Sequence, residues 1–561
     1  MLPFNILFDI SFLGLIFFTS LLLSLLFIPM SSKVAVALDV LDLPDERKIH
    51  DEPLPRMGGI AIALSFFLAV VMCIKVIPII QGFILGGVVA AFIGLLDDIF
   101  HFPPKLKFVG EIIAALVFIV VSDTYLSGLG NLFGFGDIYF GAWGIPITVF
   151  CMVGVMNALN LSDGLDGLAA GIAVIALIFL GILSYEISSW YVLSVIIALF
   201  GSVIGFLRFN NYPAKLFMGD TGSLLIGFVL GALAVALASN SQGGEGSIAP
   251  VTLAIILGVP IVDTLYVMGR RFIKGLNPFH PDKTHLHHRL LKFGLQHSEV
   301  VTIIYTLTIL FCFLGWSIKY WPDWGQFYFG CGCFIILYLV LDFLERRNFN
   351  NLLFGFTQKI GNIKRRDFVS VSGQSVKYIQ PVFLVMFLFP ALFILPVNNL
   401  LGLLSFAIVC IILILYPWNG GKKSMPLAYG VIFLSCFFLL ILYNFNLEIS
   451  PAIFYYLNIL SLLAFCWVAF RILFHRYDKV LLPSSFEILL IGFSWFIPIV
   501  LGSTLDITTA MQKRLFWACL QAIPMLGLVK LSMRSHARRN KGMALGFVLV
   551  FLFLGSTAYL V

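Results

Sequence analysis

Stretches of about 20 apolar residues, each the length of a helix across a bilayer, recur from one end of this sequence to the other. In hydrocarbon every backbone polar group must find its partner within the protein, which leaves only helices and closed barrels, and long runs without apolar/polar alternation choose helices. About eighteen runs can be marked, beginning near positions 9, 58, 79, 108, 143, 168, 188, 222, 250, 299 and 327, and then 379, 399, 427, 453, 486, 512 and 543. The expected fold is an all-α polytopic membrane protein of about 18 transmembrane helices. Composition points the same way, because 60% hydrophobic and 11% charged residues over 561 positions, with a mean hydropathy of +1.03, lie outside the range of water-soluble domains. The first run has neither a basic flank before it nor a small-residue cleavage site after it, and reads as a retained span rather than a secretory signal. Nine cysteines fall singly in or beside apolar runs, apart from Cys331 and Cys333, with no metal-type or disulfide-framework spacing. Cysteine chemistry is not the expected function.

The basic residues orient the chain. With the N-terminus outside, connectors after odd-numbered spans hold Lys33, Arg47, Lys48, Arg56, Lys105, Lys107, Arg208, Lys215, Arg270, Arg271 and Lys274, and the later ones are equally basic. Only Lys75, Lys319, Lys513 and Arg514 fall on the other side. By the positive-inside rule the first set is cytoplasmic. The net charge of +7 therefore needs no nucleic acid to explain it, and none is expected as a partner.

Five polar clusters fall on that cytoplasmic face: "DLPDERKIHDEPLPRMGG" from Asp42, "LLDDIFHFPPKLK" from Leu95, "NALNLSDGLDG" from Asn157, "RFNNYPAKLFMGDTGS" from Arg208 and "NPFHPDKTHLHHRL" from Asn277. Asp97, Asp98, Asp163, Asp166 and Asp220 make a carboxylate-rich set in a basic setting, which suits a hard divalent cation held with a phosphate-bearing substrate. Mg²⁺ is the natural candidate, with Mn²⁺ as a substitute. Gly164, Gly167, Gly219 and Gly222 flank the acids and let backbone N–H groups approach a ligand, and "DGLDG" and "GDTGS" both precede apolar helices whose N-termini favour phosphate. His285, His287 and His288, beside Lys283 and Arg289, add donors suited to a nucleotide diphosphate.

Together "GLLDD", "NALNLSDGLDGLA", "FMGDTGS" and "HLHHRLL", in this order, closely resemble the polyprenyl-phosphate N-acetylhexosamine-1-phosphate transferases, bacterial membrane enzymes that start cell-wall and surface-polysaccharide synthesis. The resemblance covers roughly residues 1–345, about eleven spans. It implies transfer of a sugar 1-phosphate from a UDP-sugar to a polyprenyl (undecaprenyl) phosphate with release of UMP, in the bacterial cytoplasmic membrane. Carried over by position, it makes Asp220 and Asn160 Mg²⁺ ligands, stacks Phe217 on uracil, and lines the uridine pocket with Gly164, Leu165 and Asp166. Asp97 and Asp98 would position the acceptor phosphate, with Asp97 a candidate base and Asp163 a further catalytic carboxylate. His285, His287 and His288 would hold the pyrophosphate, and Lys105 or Lys107 would meet the lipid phosphate. The compact histidine segment resembles the branch that uses simple UDP-N-acetylhexosamines, GlcNAc first, more than the branch that uses the muramoyl-pentapeptide nucleotide.

Each signal has a plainer reading. A single acid at a helix end is ordinarily an N-cap, a single histidine a loop residue, and Phe217 one of 57 phenylalanines suited to a membrane interface. Five acids within glycine-flanked motifs are not explained that way. Asp263 lies deepest in an apolar run and is kept as a supporting residue, since an intramembrane acid is a functional candidate by default. A secondary transporter would place acids near the bilayer midplane and show two related halves, whereas here they gather at one face and the second half repeats no motif. The expected organisation is a transferase domain at 1–345, a basic cytoplasmic connector at 346–378 and a membrane extension at 379–561 of about seven helices. For that extension the sequence offers membrane lipids, a second copy in a homodimer, or a downstream glycosyltransferase or flippase as partners, with a scaffold for polysaccharide assembly as the competing role.

Overall fold

The computed structural model describes residues 6–42, 53–239, 247–277 and 284–346. The chain divides into two compact units, and the described residues all belong to the first, Met1–Leu352. The seven runs marked from position 379, and the connector before them, lie outside the described residues.

The described chain is mostly helical: α1 (Ile6–Ala37), α2 (Gly58–Cys73), α3 (Pro78–Phe100), α4 (Pro104–Ser122), α5 (Gly144–Leu161), α6 (Leu168–Glu186), α7 (Trp190–Asn210), α8 (Gly219–Ser239), α9 (Pro250–Ile256), α10 (Gly258–Ile273), α11 (Leu286–Lys292), α12 (His297–Ser317) and α13 (Asp323–Arg346). Every run marked between positions 9 and 327 falls on one of them. Among the described residues eight helices are long and apolar enough to cross a membrane, nine if α9 and α10 are one bent span. The chain is a multi-pass membrane protein. α2 falls short at 16 residues, and α4 carries Lys105, Lys107 and Glu111 into its first two turns.

The connectors add a little strand pairing to the helices. Two antiparallel ribbons pair parts of the connectors: β1 (Leu41–Asp42) with β2 (Leu54–Pro55), and β3 (Gly128–Gly130) with β4 (Ile138–Tyr139). Longer connectors carry backbone groups that no helix satisfies, and these short ladders pair some of them.

α6 and α8 are nearly wholly enclosed, whereas α1 and α13 show most of their apolar surface, as helices in contact with lipid do. α8 packs against α3 and α5, and the approach is close because the crossing points are glycines. A Cβ on Gly94 of α3 would overlap the Asp220 carbonyl, and one on Gly59 of α2 would overlap the Gly222 backbone. These contacts bring the ends of α2 and α3 onto the first turn of α8.

Between α9 and α10 the path bends by 82°. Pro260 explains the break: it has no N–H to give to the carbonyl four residues back, Ile256, and its ring crowds that position. The freed Ile256 carbonyl accepts instead from the Cys312 thiol on α12, at 3.3 Å. The bend sends α10 sideways and leads to α11, which carries the histidines.

Candidate active site

The residues of "LLDD", "NALNLSDG" and "FMGDTGS" converge on the first turn of α8. Gly219 starts that turn at φ +68, a conformation that favours glycine, and a Cβ there would crowd the Arg56 carbonyl and the Asp98 carboxylate. Asp98 is 3% exposed, and both its oxygens are spent on α8: Oδ1 accepts the Asp220 N–H at 2.8 Å, and Oδ2 accepts the Thr221 N–H at 3.0 Å and its hydroxyl at 2.7 Å. A carboxylate from α3 thus caps α8, satisfying orphan donors where the helix dipole is positive. The Arg56 guanidinium lies 3.7 Å from both Asp98 and Asp42.

Asp97, one residue earlier, points differently. Its Oδ1 accepts the Phe102 N–H at 2.8 Å, in the turn where His101 adopts a left-handed conformation before Pro103 and Pro104 open α4. Its Oδ2 lies 3.1 Å from Lys107 Nζ. The same ammonium lies 3.2 Å from Asp220 Oδ1 and 3.5 Å from Asn160 Oδ1. Asn160 is held by its amide, which donates to Asp220 at 2.5 Å and to Ser223 at 2.7 Å. Three oxygens from three separate motifs therefore surround one cation. Among the described residues no three His, Cys, Asp or Glu side chains form a metal cluster. The donor set is two carboxylates and an amide oxygen, all hard ligands already holding a positive group, and it fits Mg²⁺.

Asp163 follows α5 beside this centre, closely surrounded by protein although part of its surface is exposed, with the charges of Asp220, Asp98 and Asp166 nearby. Burial chiefly, then the negative charge of Asp220, push its carboxyl up to about 7, against the pull of Arg56. The next residue, Gly164, is in contact with the histidine segment, since a Cβ there would overlap His287 Nε2. His287 is 4% exposed, and burial first, then the neighbouring His288, lower it to about 3. Without a ligand it is a neutral imidazole. His285 and His287 lie parallel, ring centres 6.1 Å apart, and His288 is 4.2 Å from His287.

The proposed uridine residues have mixed surroundings. Leu165 is 5% exposed. Asp166 Oδ2 accepts the Ala214 N–H at 2.9 Å, and its own N–H donates to His297 Nε2 at 3.0 Å, so it ties two loops together. Phe217 is half-buried, its N–H bonded to the Pro55 carbonyl and its carbonyl to the Gly58 N–H, both at 2.9 Å. Lys105 is exposed on the first turn of α4, away from the three oxygens that Lys107 holds.

Several residues here carry no sequence signal of their own. Glu111 is 1% exposed one turn beyond Lys107, with Oε2 accepting from Asn157 and Oε1 without a partner. Arg56 sits in a loop whose basic residues look alike in sequence. Only the spacing of Lys107, Glu111 and Ala114, one helical face directed at α5, could have pointed to Glu111.

Comparison with known proteins adds a second line. Residues 80–238 match the model of glycosyl transferase family 4, a segment that contains every acid around Lys107. Over 330 residues the chain is 34% identical to the probable undecaprenyl-phosphate N-acetylglucosaminyl 1-phosphate transferase of Bacillus subtilis (strain 168), covering 59% of this chain and 89% of that protein. The chain belongs to glycosyl transferase family 4. Within the family it is also 33% identical, over 340 residues, to the decaprenyl-phosphate N-acetylglucosaminephosphotransferase of Mycolicibacterium smegmatis, covering 55% of this chain and 83% of that protein. It is 29% identical, over 330 residues, to the undecaprenyl-phosphate alpha-N-acetylglucosaminyl 1-phosphate transferase of Escherichia coli (strain K12), covering 58% and 87%.

Proposed function

We propose that this family 4 enzyme transfers N-acetylglucosamine 1-phosphate from its UDP-sugar to polyprenyl phosphate and releases UMP, at the cytoplasmic face of a bacterial membrane. The observation that carries the reading is the gathering of Asp97, Asp220 and Asn160 oxygens around one cation at the end of a membrane bundle.

A lipid phosphate oxygen bonds to the sugar-bearing phosphorus as the bond from that phosphorus to the bridging oxygen breaks, and the electron pair leaves on UMP. A phosphate monoester with a second pKa near ~6 is largely dianionic at pH 7, so the acceptor needs little help from a base. Positioning and charge neutralisation are the larger demands. Asp220, Asn160 and Asp97 would hold Mg²⁺, which supplies neutralisation of the diphosphate charge when bound. Asp98 holds Asp220 through the α8 cap. With a metal held among these oxygens, the Lys107 ammonium would be free to face the acceptor phosphate. Gly164 and His287 form one wall of the diphosphate site, and Phe217 lies across the uracil.

Purified full-length protein, supplied with polyprenyl phosphate, Mg²⁺ and a panel of UDP-sugars, tests this. UMP release is expected with UDP-N-acetylglucosamine and to need both the lipid and the metal. Release with UDP-muramoyl-pentapeptide in its place would move the chain to the other branch.

A further inference from the structure

Away from the acids, a second buried polar network supports the histidine segment. Asp263 on α10 is 6% exposed and uses both oxygens within the protein. Oδ2 lies 2.9 Å from His285 Nδ1, and Oδ1 accepts the Leu286 N–H at 2.8 Å and the Tyr338 hydroxyl at 3.0 Å. The carboxylate thus grips the backbone and the ring of adjacent residues at the start of α11. A carboxylate only accepts, so the His285 proton is held on Nδ1. His285 Nε2 has no hydrogen-bond partner among the described residues.

The grip is backed by α13. Tyr338 stacks on Tyr266 with ring centres 4.1 Å apart, and the Arg289 guanidinium lies over both rings, at 5.9 and 5.4 Å. Arg289, 0% exposed, donates to Asp342 and Glu345, and Asp342 also accepts from the Tyr266 hydroxyl at 2.8 Å. Tyr338, Asp342 and Glu345 stand at i, i+4 and i+7, one face of α13. None of them belongs to a motif.

We propose that Asp263 and Tyr338 are positioning residues for the nucleotide-sugar site, fixing the His285 ring so that Nε2 is the nitrogen offered to the diphosphate. The inference rests on the transferase reading above. A nitrogen whose tautomer and direction are set by a buried carboxylate needs no reorganisation on binding, which is how orienting partners act on histidines in other sites. It also makes α13, the last described helix, part of the nucleotide site without touching the nucleotide.

The test uses the full-length protein and variants Asp263→Asn, Tyr338→Phe, His285→Ala and the doubles Asp263→Asn/His285→Ala and Tyr338→Phe/His285→Ala. UDP affinity is read by calorimetry, and KM is measured for both substrates. Asp263→Asn and His285→Ala are each expected to weaken UDP binding roughly tenfold, and Tyr338→Phe less, with KM for polyprenyl phosphate unchanged. Each double is expected to bind UDP no worse than His285→Ala alone, a non-additivity that loss of packing would not give. Should Asp263→Asn fail to fold, the Tyr338→Phe cycle, which removes one hydroxyl, carries the same test. Losses that multiply in a double, or a folded Asp263→Asn with wild-type UDP affinity, would overturn the proposal. A wild-type protein that releases no UMP would overturn the transferase reading first, and is seen before any variant is made.

Discussion

Asp220 opens α8 with one carboxylate oxygen between Lys107 and Asn160, and its backbone N–H is already taken by Asp98. Its position is therefore fixed by the fold and its charge left for a ligand. Asp220→Asn is expected to fold normally and lose at least ~10³ in turnover, since a catalytic metal contributes several kcal/mol at the transition state. Lys107→Met is expected to bind Mn²⁺ more tightly than wild type without substrates, read by paramagnetic resonance, yet to turn over slowly. Equal Mn²⁺ affinity would mean that Lys107 and the metal do not compete. Asp163 gives a pH signature. Its folded pKa of about 7 stands above the ordinary 3.8, so between those values the metal-free folded protein holds a proton that the unfolded chain has lost. That contribution to stability is full at low pH and is lost as pH rises toward and through 7. Thermal melts of metal-free protein from pH 5 to 8 are expected to show a steeper fall in Tm for wild type than for Asp163→Asn.

At the scale of elements, much was legible. The runs near positions 58, 79, 143, 168 and 222 begin within a few residues of helices because a continuous apolar run in a membrane bundle must satisfy its own backbone as helix, whether or not, as with α2, it is long enough to span. The gathering of "LLDD", "NALNLSDG" and "FMGDTGS" at one end was also readable, since alternating spans return their connectors to the same side. The 82° bend was not, because a proline in an apolar run leaves open whether the span kinks or breaks and by how much. Nor could spacing show that Asp97 and Asp98, adjacent in sequence, divide their work between Lys107 and the α8 cap. That division depends on Gly94, which lets α3 lie against the Asp220 carbonyl. Gly94→Ala is expected to push the helices apart, destabilising by about 1–3 kcal/mol and lowering turnover more than the stability loss explains. Melting and kinetics on the same preparation would separate the two effects, and unchanged kinetics would mean the crossing does not set the site.

Over the whole molecule, the described helices carry every motif that resembles the transferases, and the histidine support ends at Glu345 on α13. Helices in a membrane associate through local packing, so this unit is expected to insert and work alone. A chain ending near Asn351 should keep UMP release, and one ending near Tyr320, without α13, should lose it; a monodisperse but inactive first version would place the remaining chain in the catalytic machine. In the proposed reaction the sugar moves together with its phosphate. UDP-N-acetylglucosamine labelled with ³²P at the phosphorus next to the sugar tests it directly, with purified full-length protein, polyprenyl phosphate and Mg²⁺. The label is expected to pass into the lipid fraction while the released nucleotide is unlabelled UMP; label retained in released UDP, with unlabelled sugar on the lipid, would contradict the account.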